Sequence, residues 1–298
     1  MIAARYRRYG GPEVIELAAV AEPEPGPGEF LVELRTAGLN PADVKVRRGG
    51  TPIAPLPSGI GREFAGVVVG AGEGAEGFAI GDEVIGTGEW VIGERVAAGG
   101  HLLAAKPAGL AFSSAAVIPV ALQTGAVATA WLDPGPEDTV LVSAAAGGVG
   151  YTACQLAVRR GARVIGTAGE RNHDLLREIG VEPIAYGPGL ADRLRGAAPD
   201  GITGVLDQRG PETIEAALEL GVPRTRINTV SGYAERYGVA HVGRKGMDRA
   251  LVERLAAELA SGELRVRIDA EFPLHDIVEA YRRLETGHPA GKVVLTVP

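Results

Sequence analysis

The rhythm of hydrophobic positions changes near residue 113. Up to Phe112 they come as short β-branched runs at Phe30–Leu34, Ala65–Val69, Asp82–Ile85 and Trp90–Ile92, set apart by Gly and Pro. Runs this short, with turn residues between them, predict a compact β-rich domain, an open barrel or sandwich. The proline-rich stretch from Pro23 to Glu29 predicts a rigid, non-helical lead into the first long strand. Ser113 and Ser114 then precede an apolar segment that reads as a capped helix. From Thr139 the pattern becomes strand, helix, strand, with strands predicted at Thr139–Val142, Arg163–Thr167, Pro183–Tyr186, Gly204–Asp207 and Arg226–Val230. Such brief apolar runs suit a parallel sheet buried on both faces. Asp248–Leu259, with Leu251, Leu255 and Leu259 on one side, reads as the helix that closes this sheet domain. A helix over Asp276–Leu284 and a strand over Gly291–Leu295 follow.

The join after Val142 carries the most chemistry. Gly147, Gly148 and Gly150 fall between a strand and a helix in which Ala153, Leu156, Ala157 and Val158 supply apolar positions. A dinucleotide site needs a tight turn there, close approach of backbone to pyrophosphate, and a helix whose unpaired N–H groups face the phosphates. A glycine turn alone could be structural. The strand before it, the helix after it and the second strand arriving at Arg163 favour nucleotide binding.

The segments AAAGGVG after Val142 and GARVIGT at Gly161–Thr167, with GLNPADVKVRRG (Gly38–Gly49) and GREFAGVVVGAG (Gly61–Gly72), resemble the zinc-independent quinone and enone reductases of the medium-chain dehydrogenase/reductase superfamily. The resemblance covers nearly the whole chain. It implies an α/β fold in which a doubly wound Rossmann sheet is inserted in a β-rich GroES-like catalytic domain, with boundaries at 1–113, 114–260 and 261–298. It also implies NADPH as hydride donor and a homodimer.

The cofactor residues follow from this frame. Ala146, Gly147, Gly148, Val149 and Gly150 would form the pyrophosphate turn. An NAD enzyme wants an acidic side chain at the end of the second strand, whereas NADP needs room and positive charge for its 2′-phosphate. Ala168 and Gly169 give room, and Arg171 offers a fork of donors. Glu170 is the complication, as an outward residue or an early acid of the next helix. Asn172 and His173 either join the phosphate site or lie on the surface, and Tyr186 either packs near the phosphate or is core. Asp207 and Gln208 end the fourth strand, at the edge where open α/β sheets bind ligands. Ser231 and Gly232 are expected beside the nicotinamide. Thr124 either approaches the same ring or bonds its own backbone.

Zinc members of the superfamily place a cysteine near Asn40 and a histidine before Glu63. This chain has Asn40 and Arg62, so the resemblance implies no catalytic zinc. Hydride would go to an acceptor already polarised, a quinone or an α,β-unsaturated carbonyl, and the protein would stabilise the oxyanion that develops. Asn40 and Lys45 are the candidates. Lysine at position 45 resembles the enone (alkenal) reductase branch, although a solvated turn lysine has the same signature. Asp43 is free to pair with Arg47 at helical spacing and be structural. No Ser-His-Asp or Cys-His constellation is legible among the five histidines, so the proton is expected from solvent. Trp90, Trp131 and Tyr233 either wall an apolar pocket or are packing.

Composition bounds the partners. The 298 residues, 46% hydrophobic, suffice for two domains, and a net charge of -7 with no clustering of basic residues argues against a nucleic-acid partner. The single cysteine, Cys154, excludes an internal disulfide and reads as helix packing. No signal-like start and no apolar run of membrane length are apparent, so a cytoplasmic protein with a small-molecule substrate is expected. Two other readings stand beside the quinone or enone reductase: a biosynthetic enoyl-intermediate reductase, and a non-catalytic NADPH-binding sensor on the same fold.

Overall fold

The computed structural model describes residues 1–50, 53–243, 245–287 and 289–298. His288 lies outside the described residues. The chain forms two compact units, 1–120 with 246–298, and 121–245.

In the second unit six parallel strands lie side by side in the order Glu182–Ile184, Arg163–Thr167, Thr139–Val142, Gly204–Asp207, Ile227–Thr229, Ala240–His241. Numbered within the unit this is 3-2-1-4-5-6, the doubly wound order, with the reversal beside Thr139–Val142. Both faces are buried because alternate residues serve opposite layers. Val140, Val142 and Leu206 pack with Leu132, Cys154 and Ala157, while Leu141, Ile165 and Val205 pack with Leu194, Ile214 and Ala217. Cys154 is fully buried, and burial pushes its thiol far above the usual range, which makes it a packing group.

The first unit is built on a seven-stranded mixed sheet whose long central strand, Glu29–Gly38, pairs antiparallel with Glu63–Ala71, Arg95–Gly99 and Lys292–Thr296. A separate three-stranded sheet joins Ile2–Tyr6 to Ile15–Ala19 and Ser58–Gly59. Phe30, Val32, Leu34 and Phe64 form the core together with Tyr281 and Leu284 of the helix Ile277–Glu285.

Five expectations need correction. Trp90–Ile92 is not a strand: Trp90 has φ +61, in the left-handed region, which interrupts an extended run, and only an isolated bridge from Ala3 to Gly93 follows. Ser113 and Ser114 cap nothing. They lie inside the short helix Phe112–Ala115, which passes through a π-helical segment at Ile118–Leu122 into Gln123–Leu132. That continuous path, Phe112–Leu132, is also a helix long and apolar enough by composition to cross a membrane, contrary to the expected absence of one. With 78% of its apolar window buried inside the protein, it reads as a core helix.

The helix Arg249–Ser261 belongs to the first unit and does not close the nucleotide-type sheet. Arg249 explains why, since it donates to the carbonyls of Leu103 (2.7 Å) and Gly100 (2.6 Å) and sits over the Phe78 ring. Likewise the first unit runs on to Val120, whose backbone N–H donates to Glu63 Oε2 at 2.8 Å. The divisions therefore fall at 120 and 246, where 113 and 261 were expected.

Candidate functional site

Each unit carries its own group of candidate residues. In the second unit the glycine turn is shaped by contact with its own backbone. A Cβ on Gly150 would lie 2.9 Å from the carbonyl carbon of Ala144 and closer still to its oxygen, and one on Gly147 would lie 3.2 Å from that oxygen. Ala144 itself is held at φ +46, an uncommon setting for a residue with a side chain. The helix Gly148–Arg159 starts from Gly147 with no side-chain cap, which leaves its first N–H groups to whatever anion approaches.

Around this turn the strand ends are tied by one buried carboxylate. Asp207 is fully buried; its Oδ1 accepts from Ser143 Oγ (2.7 Å) and the N–H of Gly210 (2.9 Å), and its Oδ2 from Thr229 Oγ1 (2.6 Å). Ser231 Oγ lies 2.5 Å from Thr229 Oγ1 and 3.3 Å from Asp207 Oδ2. Ser143 Oγ in turn accepts from the backbone N–H of Gln208 (2.7 Å) and Arg209 (3.2 Å). Asp207 is thus consumed in holding Ser143, Thr229 and Ser231. Sequence reading missed Ser143 and Thr229, although both are hydroxyls at the ends of the two parallel strands that flank Gly204–Asp207.

Gln208 differs from its neighbour. Its side-chain Nε2 and Oε1 are both buried, and neither has a hydrogen-bond partner among the described residues. An amide so placed costs free energy unless something pairs with it. This orphaned amide, the glycine-lined turn and the uncapped helix start fit a dinucleotide.

Gly169 precedes a single 3-10 turn, Glu170–Asn172, on which Glu170 and Arg171 are both exposed. His173 lies with Nε2 3.3 Å from the Ala168 carbonyl, so it is engaged with the backbone. The Tyr186 hydroxyl is beside Gly169, 3.7 Å from where a Cβ would stand, and Arg209 covers its ring at 5.9 Å. Tyr186 is 38% exposed, which overturns the core alternative. Thr124 is buried in the helix Gln123–Leu132, where the hydroxyl that bonds back is that of Thr129, to the Gly125 carbonyl. Ser231 is half-buried and Gly232 exposed. Trp131 and Tyr233 are partly exposed, Tyr233 packing close over Gly210.

In the first unit, Asn40 begins the helix Pro41–Arg47, its N–H donating to Asp43 Oδ2 at 2.9 Å. Its amide is wired into a buried cluster. Nδ2 donates to Glu63 Oε1 (2.9 Å), and Lys292 Nζ donates to Asn40 Oδ1 (2.7 Å), Glu63 Oε1 (2.9 Å) and the Leu39 carbonyl (2.6 Å). Among the described residues Lys45 makes no hydrogen bond to Asn40. It is exposed, and two residues of helix turn it to the side opposite the buried Asp43. The ammonium that does reach Asn40 is that of Lys292, which no local pattern announces.

Asp43 does not pair with Arg47. Arg62 Nε stands 3.4 Å from Asp43 Oδ1, and Tyr281 Oη donates to Asp43 Oδ2 at 3.4 Å. Arg47 turns instead to Glu285 at 2.5 Å and over the Tyr281 ring. Burial pushes the Asp43 carboxyl up to about 6, against the pull of Arg62 and the Asn40 N–H. A carboxyl raised on folding favours the folded state when protonated, so its contribution is full below 3.8 and lost as pH rises through about 6. Asp43→Asn should flatten this part of the profile: melting temperatures across that range should fall less with rising pH than in the parent, and parallel profiles would refute the assignment.

These donors do not suit zinc. An ammonium hydrogen-bonded to Asn40 Oδ1 and Glu63 Oε1 occupies the place of a divalent charge, Arg62 brings a second cation, and among the described residues no three His, Cys, Asp or Glu side chains gather.

Comparison with known proteins agrees with this architecture. Residues 26–131 match the alcohol dehydrogenase GroES-like domain and residues 116–295 the zinc-binding dehydrogenase family. The chain is 31% identical to a quinone oxidoreductase of Pseudomonas aeruginosa, covering 98% of each protein. It superimposes on the quinone oxidoreductase of Coxiella burnetii with a TM-score of 0.91 at 30% identity, over 100% of this chain and 99% of that one. A segment of erythronolide synthase EryA2 of Saccharopolyspora erythraea is 32% identical over 91% of this chain; the chain spans only 8% of that synthase.

Proposed function

Since the chain belongs to the medium-chain dehydrogenase/reductase family of oxidoreductases, we propose that it reduces a quinone or an α,β-unsaturated carbonyl with NADPH and without a metal. The orphaned Gln208 amide, taken with the glycine-lined, uncapped helix start, supports the cofactor half of this reading. NADPH, when bound, supplies the hydride.

The chain's own residues bind and orient. The backbone from Ala146 to Gly150 receives the pyrophosphate, Gln208 pairs its amide with the dinucleotide, and Thr124, Ser231 and Gly232 belong to the nicotinamide half. Asp207 is assigned a positioning role, because both its oxygens are engaged. Gly169, Arg171, His173 and Tyr186 form the 2′-phosphate end, with Gly169 giving room where an NAD enzyme would place an acid. Asn40 has a second amide N–H beyond the one given to Glu63, and through it would meet the acceptor oxygen. Lys45 is assigned no step. Pairing of two protomers belongs to the same reading.

Arg171→Ala should weaken NADPH by about tenfold or more, the worth of a charge-assisted contact, while NADH affinity barely changes. Equal losses for the two coenzymes in a fluorescence titration would remove Arg171 from the phosphate site. For the whole reading, oxidation of NADPH should be followed with an ortho-quinone, a para-quinone, a short enone and an enoyl thioester. Turnover with the thioester alone would favour the enoyl-intermediate reading, which the likeness to EryA2 supports. Tight NADPH binding with no turnover would favour a sensor.

A further inference from the structure

Resting on that reading, one feature of the first unit points to the acceptor itself. A cavity of about 120 Å³ opens beside the Asp43–Arg62 pair. Its apolar walls include Ile53, Ile60 and Trp90, and its charged groups are Asp43, Arg62 and Glu89. Ile53 is 70% exposed and Trp90 45%, a degree of apolar exposure at a cavity mouth that marks a ligand surface. Trp90 is held there in the left-handed region, at φ +61, by close packing against Gly59.

Arg62 is arranged to receive something. Its side chain is 26% exposed and its Nε stands 3.4 Å from Asp43 Oδ1, so the carboxylate attracts the guanidinium from one side. Among the described residues its terminal N–H groups have no recorded partner, and they remain for a ligand in the cavity. We propose that Arg62 donates to the carbonyl oxygen of the acceptor, and that this cavity selects uncharged acceptors built on one six-membered ring. The size is set by analogy: about 120 Å³ is near the roughly 150 Å³ at which an enclosed apolar cavity admits benzene, so one ring is seated against the walls with its edge at the open side. The neutrality follows from charge: Asp43 already balances Arg62, and Glu89 adds a negative group, so an anionic acceptor gains no net attraction.

A neutral carbonyl becomes the better ligand as reaction proceeds. Hydride transfer would break a C–H bond of the reduced coenzyme, leaving it oxidised, and form a C–H bond at the β-carbon of the acceptor; the C=C pair would become the enolate C=C as the C=O π pair moves onto oxygen, and a proton from water, which is left as hydroxide, would then go to the α-carbon. The oxygen is therefore negative before that proton arrives, and hydrogen bonds from a preset cation are then at their strongest.

Trp90 provides a readout independent of turnover, since the chain has two tryptophans and Trp131→Phe leaves Trp90 as sole reporter. In that background, without coenzyme, cyclohex-2-enone should change Trp90 emission and bind more tightly than its 3-carboxylate or crotonyl-N-acetylcysteamine. Arg62→Gln should weaken the ketone by about tenfold and lower kcat/KM by about 100-fold, leave the NADPH Kd unchanged, and Arg62→Lys should recover part of both. Unchanged ketone affinity in Arg62→Gln, or a parent that prefers the carboxylate or the linear thioester, would overturn the proposal. Should Arg62→Gln not fold, Arg62→Lys carries the test, with a several-fold loss of ketone affinity expected and none overturning it. Failure of the parent to bind NADPH would instead defeat the reading beneath, and the Trp90 titration would still decide what the cavity holds.

Discussion

Lys292→Met is expected to destabilise the first unit by about 3–5 kcal/mol, the cost of leaving one member of a buried ion pair without its partner. Methionine keeps the length and the apolar stem but removes all three bonds from Nζ, to Leu39, Asn40 and Glu63. Glu63 is fully buried and, among the described residues, would retain Asn40 Nδ2 and the Val120 N–H alone. Urea unfolding at neutral pH reads the loss. The double variant Lys292→Met with Glu63→Gln should lie closer to the parent than Lys292→Met alone, because no unpaired charge then remains buried. A single variant within about 1 kcal/mol of the parent, the size of an ordinary surface pair, would show that the ammonium and carboxylate are not coupled as the distances imply.

Gly150→Val should abolish association with both nicotinamide coenzymes. Any side chain at 150 meets the Ala144 carbonyl, and Ala144 sits in a backbone setting with little freedom to move. Overpacking of this kind costs about 1–3 kcal/mol. The larger effect is on the turn, whose displacement takes several N–H donors away from the phosphates at about 1.5–3 kcal/mol each, or more than about 100-fold in Kd overall. Gly196→Ala is the control: it lies in the helix Leu190–Ala197, a Cβ there meets nothing within 4 Å, and it should leave coenzyme affinity alone while raising the melting temperature slightly. Coenzyme binding unimpaired by Gly150→Val would mean that the phosphates are seated elsewhere.

The parts of the fold that were legible are the parts whose information is local. Thr139–Val142, Arg163–Thr167 and Gly204–Asp207 begin and end where the apolar pattern says, because a short β-branched run between turns has few other uses in a parallel sheet. The glycine turn was legible for the same reason, since strand, turn and helix adjoin in the chain. Trp90–Ile92 failed the same test: its residues favour a strand, but Trp90 packs closely on Gly59 and Ile92 on Gly61, and Trp90 takes a turn conformation at φ +61.

Fold class, glycine cradle and the lack of thiolate and imidazole at Asn40 and Arg62 are all readable from the residues in order. Which cation serves Asn40 is set by the folded arrangement, because Lys292 lies 252 residues away and arrives by pairing of the strand Lys292–Thr296 with Glu29–Gly38. The same arrangement decided that Asp43 meets Arg62 and that Asp207 is spent on Ser143 and Thr229. Periodicity and turn chemistry act over a few residues, whereas the partner of a buried charge is fixed by which strands lie side by side.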